Sequence, residues 1–478
     1  MDPALIGFIL YLVVVLVVGF VTVRLTKTLD DFLIAGRKLG PWVVAISERA
    51  SGESAWLLIG LPGVAWASGF SALWPAIGCT FGILFAWVFV ARRLRIMSEK
   101  LGAITLPDFF EAMLGDHSKI IRVVSTLVIL LFFTMYVAAQ FIGAGKVLNV
   151  SFGISQTWGM IIGGVIIIIY TVMGGFFAVA WTDLFQGLLM VATLVILPAV
   201  ALIEIGGPAA MVDKLHAVSP TLLTVTEGKS GWAMWSVIIG GLAIGLGYMG
   251  QPHLVVRFMA IRRVSELKRG SLIAIIWAVL AFWGAVLVGI FGLALYSSGT
   301  IADPEQIMPH MVRDLLPAWL AGIFISGAIA AMMSTADSQL LVSTSAVAED
   351  VYHRMINHNA SQSRLVWLSR IATIAIGAVA YLLAFTAEDT VYRFVLYAWA
   401  GLAASFGPAL ILTLWWKRIT KWGVLAGMIS GTLVVILWKS VLDLSGLLYE
   451  LVPGFIVALV LVVVVSLLTP AARARRSA

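Results

Sequence analysis

"ISERASGESAWLLIGLPG", residues 46–63, sets Glu48, Arg49 and Glu53 among Ser47, Ser51, Gly52 and Ser54 in the middle of an apolar run. On insertion scales a charge at the centre of a membrane helix costs about 2.5–3.5 kcal/mol. Three of them between 48 and 53 must therefore face the protein interior, pair with one another or bind something. Arg49 and Glu53 are spaced to meet along one helical face. The small residues leave two readings open. Either they let helices pack closely, or they interrupt the helix and turn freed carbonyls toward a cavity.

The rest of the chain supplies the setting. Its 478 residues are 61% hydrophobic and 12% charged, with a mean hydropathy of +1.04. A soluble core of this size cannot hide so much apolar surface, so the solvent is a lipid bilayer. The net charge of +7 falls in short clusters between apolar runs, which argues for membrane loops and against nucleic acid. One cysteine, Cys79, excludes a disulfide framework and reads as a packing residue. The start, "MDPALIGFILYLVVVLVVGFVTVRL", lacks a basic n-region and a small-residue cleavage site and reads as a first spanning helix.

With about 20 apolar residues per crossing, the chain divides into about thirteen spans: 4–25, 42–66, 70–91, 120–147, 156–177, 180–203, 231–257, 271–297, 318–348, 365–386, 391–416, 422–440 and 447–468. Arg24, Lys27, Arg37 and Lys38, the 92–100 cluster, the 257–269 cluster, Lys417, Arg418 and Lys421, and the tail "ARARRSA" all fall on one side of this arrangement. The positive-inside rule makes that side cytoplasmic, with the N-terminus outside and the C-terminus inside. "LGAITLPDFFEAMLGD" (101–116) reads as an interfacial amphipathic helix on the same side.

A second small-residue stretch, "IIGGLAIGLGYMGQPH" (238–253), ends in Pro252. Counted from 42–66, the two interrupted spans are the first and the sixth. Five spans followed by five more, each set opening on a broken helix, is the pattern of an inverted-repeat secondary transporter. The whole of 1–478 is then one transporter domain: leading helix 4–25, first repeat 42–203, second repeat 231–416, two trailing helices within 422–468 and a tail 469–478. In "ISGAIAAMMSTADSQLLVSTSAVAED", Ala331, Ser334, Thr335 and Ser338 share a helical face beside Asp337. Hydroxyls and carbonyls are hard ligands suited to an alkali cation, although such hydroxyls also bond their own backbone. Asp183 adds a carboxylate near the end of another span.

"DDFLIAGRKLGP", "SAWLLIGLPG", "TLPDFF", "LVILLFFTMY", "GGFFAVAWTD", "GLGYMGQPHLVVRFMA", "MSTADSQLLV", "YAWAGLAASFGP" and "LAGMISG" occur in one order through nearly the whole chain. In these the sequence resembles the sodium:solute symporter family, and within it the bacterial sodium/proline symporters. The resemblance implies an all-α LeuT-type fold of five plus five helices, with one leading and two trailing helices. It implies a bacterial cytoplasmic-membrane protein that imports a small organic solute, an amino acid such as proline, with sodium and needs no cofactor. The implied sodium ligands are the backbone oxygens of Ala50 and Glu53, with Ala331, Ser334 and Thr335. The implied substrate pocket is Ser54, Ala55, Trp56, Tyr136, Ile244 and Tyr248, with Gln251 close by. Asp183 matches a carboxylate linked to cation handling. Glu48, Arg49, Glu53, Asp183 and Asp337 are the candidates for coupling or gating.

The chain also departs from those symporters. Gly52 stands where they carry an aspartate, Glu53 where they carry an uncharged residue, and Glu48 and Arg49 where they carry small ones. Ile244 replaces a tryptophan and Ala55 a glycine. Two alternatives follow. One is a proton-coupled or sodium-independent transporter with Glu53 as the exchanging group; the other is a solute-binding membrane sensor. The six dispersed His and the lack of any nucleophile–base pair argue against an enzyme.

Overall fold

The computed structural model describes residues 3–23, 29–296, 300–387 and 389–470. Arg24, Lys27 and the "ARARRSA" tail lie outside the described residues. The described chain is helical, with a single isolated bridge between Leu39 and Ile261. In order the helices are α1 (Pro3–Val23), α2 (Leu29–Ile34), α3 (Pro41–Gly52), α4 (Leu61–Ser68), α5 (Leu73–Phe85), α6 (Arg92–Lys100), α7 (Leu106–Leu114), α8 (Ile120–Phe152), α9 (Gln156–Ile205), α10 (Pro208–Val218), α11 (Gly231–Ala243), α12 (Pro252–Ala260), α13 (Leu267–Leu295), α14 (Ile307–Leu315), α15 (Ala318–Ser345), α16 (Gln362–Thr386), α17 (Val391–Trp415), α18 (Lys421–Ile436) and α19 (Leu451–Leu468). Among the described residues, ten helical stretches are long and apolar enough to cross a membrane. Leu, Ile, Val and Phe side chains are exposed along their outer faces, as a hydrocarbon solvent permits.

Both small-residue stretches are breaks. Rod one, α3 to α4, leaves helical geometry at Glu53 (φ −106°, ψ 7°) and resumes through a wide π-type turn over Trp56–Gly60. Rod two, α11 to α12, tightens to a 3₁₀ turn over Ile244–Met249 and is extended at Gln251 (φ −84°, ψ 110°). Pro252 explains the second break: it has no N–H for the preceding turn and pushes the residue before it out of the α region. The spans expected at 156–177 and 180–203 run together as α9, with the change of direction at Gly175 (φ 58°, ψ −173°), a conformation that favours glycine.

The core is built around α15, which is buried along most of its length and packs on α1, α3, α8, α9 and α16. The 3₁₀ turn of rod two lies backbone to backbone on α5. A Cβ on Gly245 would fall 1.9 Å from Gly78 O.

At one end of the molecule basic residues knit the loops together. Arg37 donates to Met259 O (2.9 Å) and Ala103 O (2.7 Å), Arg95 to Ile261 O (2.7 Å) and Arg93 to Leu414 O (2.9 Å). The clusters at 37–38, 92–100, 262–269 and 417–421 thus share an end. Arg257 is the exception. It belongs to no loop cluster but is buried in α12.

Candidate ion and substrate site

The α3 half of rod one presents different chemistry on two faces. Glu48, Arg49 and Glu53 lie on one. Arg49 Nε donates to Glu48 Oε2 (2.7 Å), Nη2 also bonds Glu48, and Nη1 donates to Glu53 Oε1 (2.6 Å). Trp87 Nε1 donates to Glu48 Oε2 (3.0 Å), and Tyr248 OH lies 3.1 Å from both Glu53 oxygens. The Arg49 guanidinium also sits over the Tyr248 ring at 4.9 Å. All three charged groups are fully buried. The i, i+4 pairing survives because the helix is intact up to Gly52, where the Glu53 N–H still reaches Arg49 O.

Ser47 and Ser51 lie on the other face, where they meet Arg257, Asp183 and Ser338. Arg257 donates to Ser47 Oγ (2.8 Å), Ser51 Oγ (2.5 Å), Asp183 Oδ2 (2.9 Å) and Ser338 Oγ (2.7 Å), and to His253 O. Asp183 Oδ2 also accepts from Ser47 (2.7 Å) and Ser51 (3.0 Å). Ser338 donates to Asp337 Oδ1 at 3.1 Å. Asp183 Oδ1 and Asp337 Oδ2 accept nothing. Each face therefore carries two carboxylates and one guanidinium, the pairing that buried charges require.

Between the faces, the carbonyls that the break frees are taken by side chains. Ser334 Oγ donates to Ala50 O (3.0 Å) and stands 3.1 Å from Ala331 O. Thr335 Oγ1 donates to Ser51 O (3.0 Å), and Trp56 Nε1 to Gly52 O (3.3 Å). Four of the five expected sodium-site residues thus meet where α15 crosses rod one. The fifth oxygen, Glu53 O, accepts from Leu57 N at 3.3 Å within its own rod.

The expected substrate residues surround the same break. Ser54 Oγ and Tyr136 OH are 3.4 Å apart, and Ala55 N donates to Gln140 Oε1 (3.0 Å). Trp56 packs against Phe282 and Tyr392. On rod two, Trp399 Nε1 donates to Ile244 O (3.0 Å), the Trp399 ring stacks edge-on with Tyr248, and Gln251 Nε2 donates to Trp399 O (3.0 Å). Gln251 is thus linked to the other pocket residues through Trp399.

A cavity of about 730 Å³ opens from the end opposite the basic one, with Val64, Ile244 and Tyr392 among its lining. A hollow of about 20 Å³ has Arg257, Ser338, Thr105 and Asp350 among its lining.

Sequence reasoning missed Trp87, Gln140, Ser51, His253 and Trp399 as partners. It also placed Arg257 with the loop cations. A charge after the apolar run of 231–257 has the same linear pattern whether it flanks a span or is drawn into it. The signal available was the seryl pair at 47 and 51, whose helical spacing asks for a polar partner.

Comparison with known proteins decides what this architecture is. The profile of the Sodium:solute symporter family matches residues 32–431. The chain belongs to the sodium:solute symporter family. It is 43% identical over 409 residues to the high-affinity proline transporter PutP of Bacillus subtilis (strain 168), across 85% of this chain and 86% of that one. It is 40% identical over 426 residues to the sodium/proline symporter of Escherichia coli (strain K12), across 88% and 84%. Its structure matches a substrate-bound, outward-open Na+-coupled sialic acid symporter with a TM-score of 0.79 at 20% identity, over 98% of this chain and 99% of that one. The closed form of Mhp1, a nucleobase-cation-symport-1 family transporter, matches with 0.57 at 14%, over 92% and 95%. The fold is the LeuT type. This symporter is a multi-pass membrane protein and not an enzyme, and its family couples a small solute to sodium.

Proposed function

We propose that this symporter imports a small zwitterionic solute, proline or a related amino acid, together with sodium by alternating access. The observation that carries the reading is the meeting of Ser334 with the carbonyls of Ala50 and Ala331, hard oxygens held at the break of rod one. Identity of about 40% to proline symporters supports the amino-acid class.

In this reading sodium draws those oxygens and Thr335 onto itself, which fixes α15 against rod one. Ser54, Ala55 and the Gln251 amide hold the ends of the solute, while Trp56, Tyr136, Ile244 and Tyr248 wall its apolar part. Asp183 and Asp337, on the far side of Ser338, respond to the arrival of the cation. The wide cavity is the outer entrance, and the basic end faces the cytoplasm. Coupling requires each ligand to favour one of the two orientations.

Gly52 and the Glu48–Arg49–Glu53 set raise the proton-coupled alternative. The contacts of Arg49 weigh against it: the guanidinium is committed to Glu48, Glu53 and Tyr248, and it is not offered as a fixed charge at Ser334. Uptake of labelled L-proline into proteoliposomes, in sodium against choline at fixed pH, tests the proposal. Accumulation only in sodium is expected. Full uptake in choline rules out sodium coupling, and binding without accumulation makes the protein a sensor.

A further inference from the structure

A cation that leaves Ser334 for the basic end meets a field of the wrong sign, because Arg37, Arg95 and their neighbours would repel it. One buried cluster at that end runs against the trend. Arg122 on α8 pairs with Asp108 (2.8 Å) and Glu111 (2.6 Å) of α7 and with Asp350, in the helical extension of α15. Three carboxylates share one guanidinium, which leaves an excess of negative charge. Asp350 Oδ1 also accepts from Thr105 Oγ1 at 2.9 Å.

Two further observations point to a ligand. Asp350 is 1% exposed, and its Oδ2 has no hydrogen-bond partner. Asp350 and Thr105 also line the same hollow as Ser338 and Arg257, and Ser338 donates to Ser334 O, beside the candidate sodium oxygens. Its volume of about 20 Å³ holds one water-sized body. We propose that Asp350, with the Thr105 hydroxyl, is a transient cation-binding station on the release route, one step inward of Ser334 and Ser338. The arriving cation competes with Arg122 for the carboxylate. As Arg122 is freed toward Asp108 and Glu111, α7 loosens from the extension of α15 and the way out opens. This rests on the sodium-symport reading above.

The test uses the full chain in proteoliposomes, with labelled L-proline uptake measured while internal sodium replaces choline. In wild type internal sodium is expected to inhibit net uptake. Asp350→Asn should raise the internal sodium needed for half-inhibition by about tenfold, the loss of one close charge partner. The external sodium for half-maximal uptake should stay the same. Asp350→Glu should restore the wild-type internal dependence. Glu99→Gln, which removes a carboxylate of the same end that pairs with Arg95 and not with Arg122, should leave it unchanged. An unshifted internal dependence in Asp350→Asn overturns the station, and so does an equal shift in Glu99→Gln. If Asp350→Asn does not reach the membrane, Thr105→Val carries the test. It keeps the carboxylate, and an unshifted dependence there overturns the proposal in the same way. Wild type without sodium-dependent uptake refutes the symport reading; sodium-dependent wild type with an unshifted variant refutes only the station.

Discussion

Ser334 and Thr335 follow one another on α15, yet each bonds a different carbonyl of rod one, Ala50 O and Ser51 O. A hydroxyl that donates to a carbonyl today can turn its lone pair to a cation that replaces the hydrogen. The expected result of Ser334→Ala with Thr335→Ala is a rise of about tenfold or more in the sodium concentration for half-maximal uptake, at unchanged membrane abundance. A titration of uptake against external sodium measures it, and an unshifted curve removes these hydroxyls from the site. The charged set at 48–53 works differently. With Arg49 bonded to two carboxylates and all three buried, loss of the guanidinium strands both carboxylates at a cost of about 3–5 kcal/mol. These residues hold rod one to Trp87 and Tyr248 whether or not they touch the solute.

At the scale of elements, the two rods are broken for different reasons. Pro252 forces its break through covalent geometry, whereas rod one has no proline at Glu53 and is held open by what captures its carbonyls: Ser334, Thr335 and Trp56. Close backbone contact then fixes the second bend against α5. Gly245→Ala would drive a methyl into Gly78 O, and overpacking of this kind costs about 1–3 kcal/mol. A lower melting temperature of the detergent-solubilised protein is expected, with sodium and proline both absent. A variant that melts with wild type would show that the turn does not rest on α5.

For the whole molecule, the charge clusters that lie far apart in sequence meet at one end, and the larger cavity opens at the other. If the basic end is cytoplasmic, a reporter fused after Ala478 should behave as internal: green fluorescent protein should fluoresce and alkaline phosphatase should be inactive. Active phosphatase at that position would invert the orientation and make the wide cavity an inner one.

Composition and residue order by themselves determined a helical membrane protein and the two interruptions, because a bilayer leaves few ways to satisfy a backbone. They also named Ser334, Thr335 and Asp183, whose polarity stands out in apolar surroundings. Only the tertiary structure decided which charge belongs to which partner. Arg257 and Arg49 have similar linear settings, yet one closes on Asp183 and three hydroxyls, and the other on Glu48 and Glu53. The link from Asp350 to Arg122 spans 228 positions of sequence, and no local pattern can encode so distant a pairing. Buried charges select their partners by proximity in the folded bundle, and that proximity arises only when the helices pack.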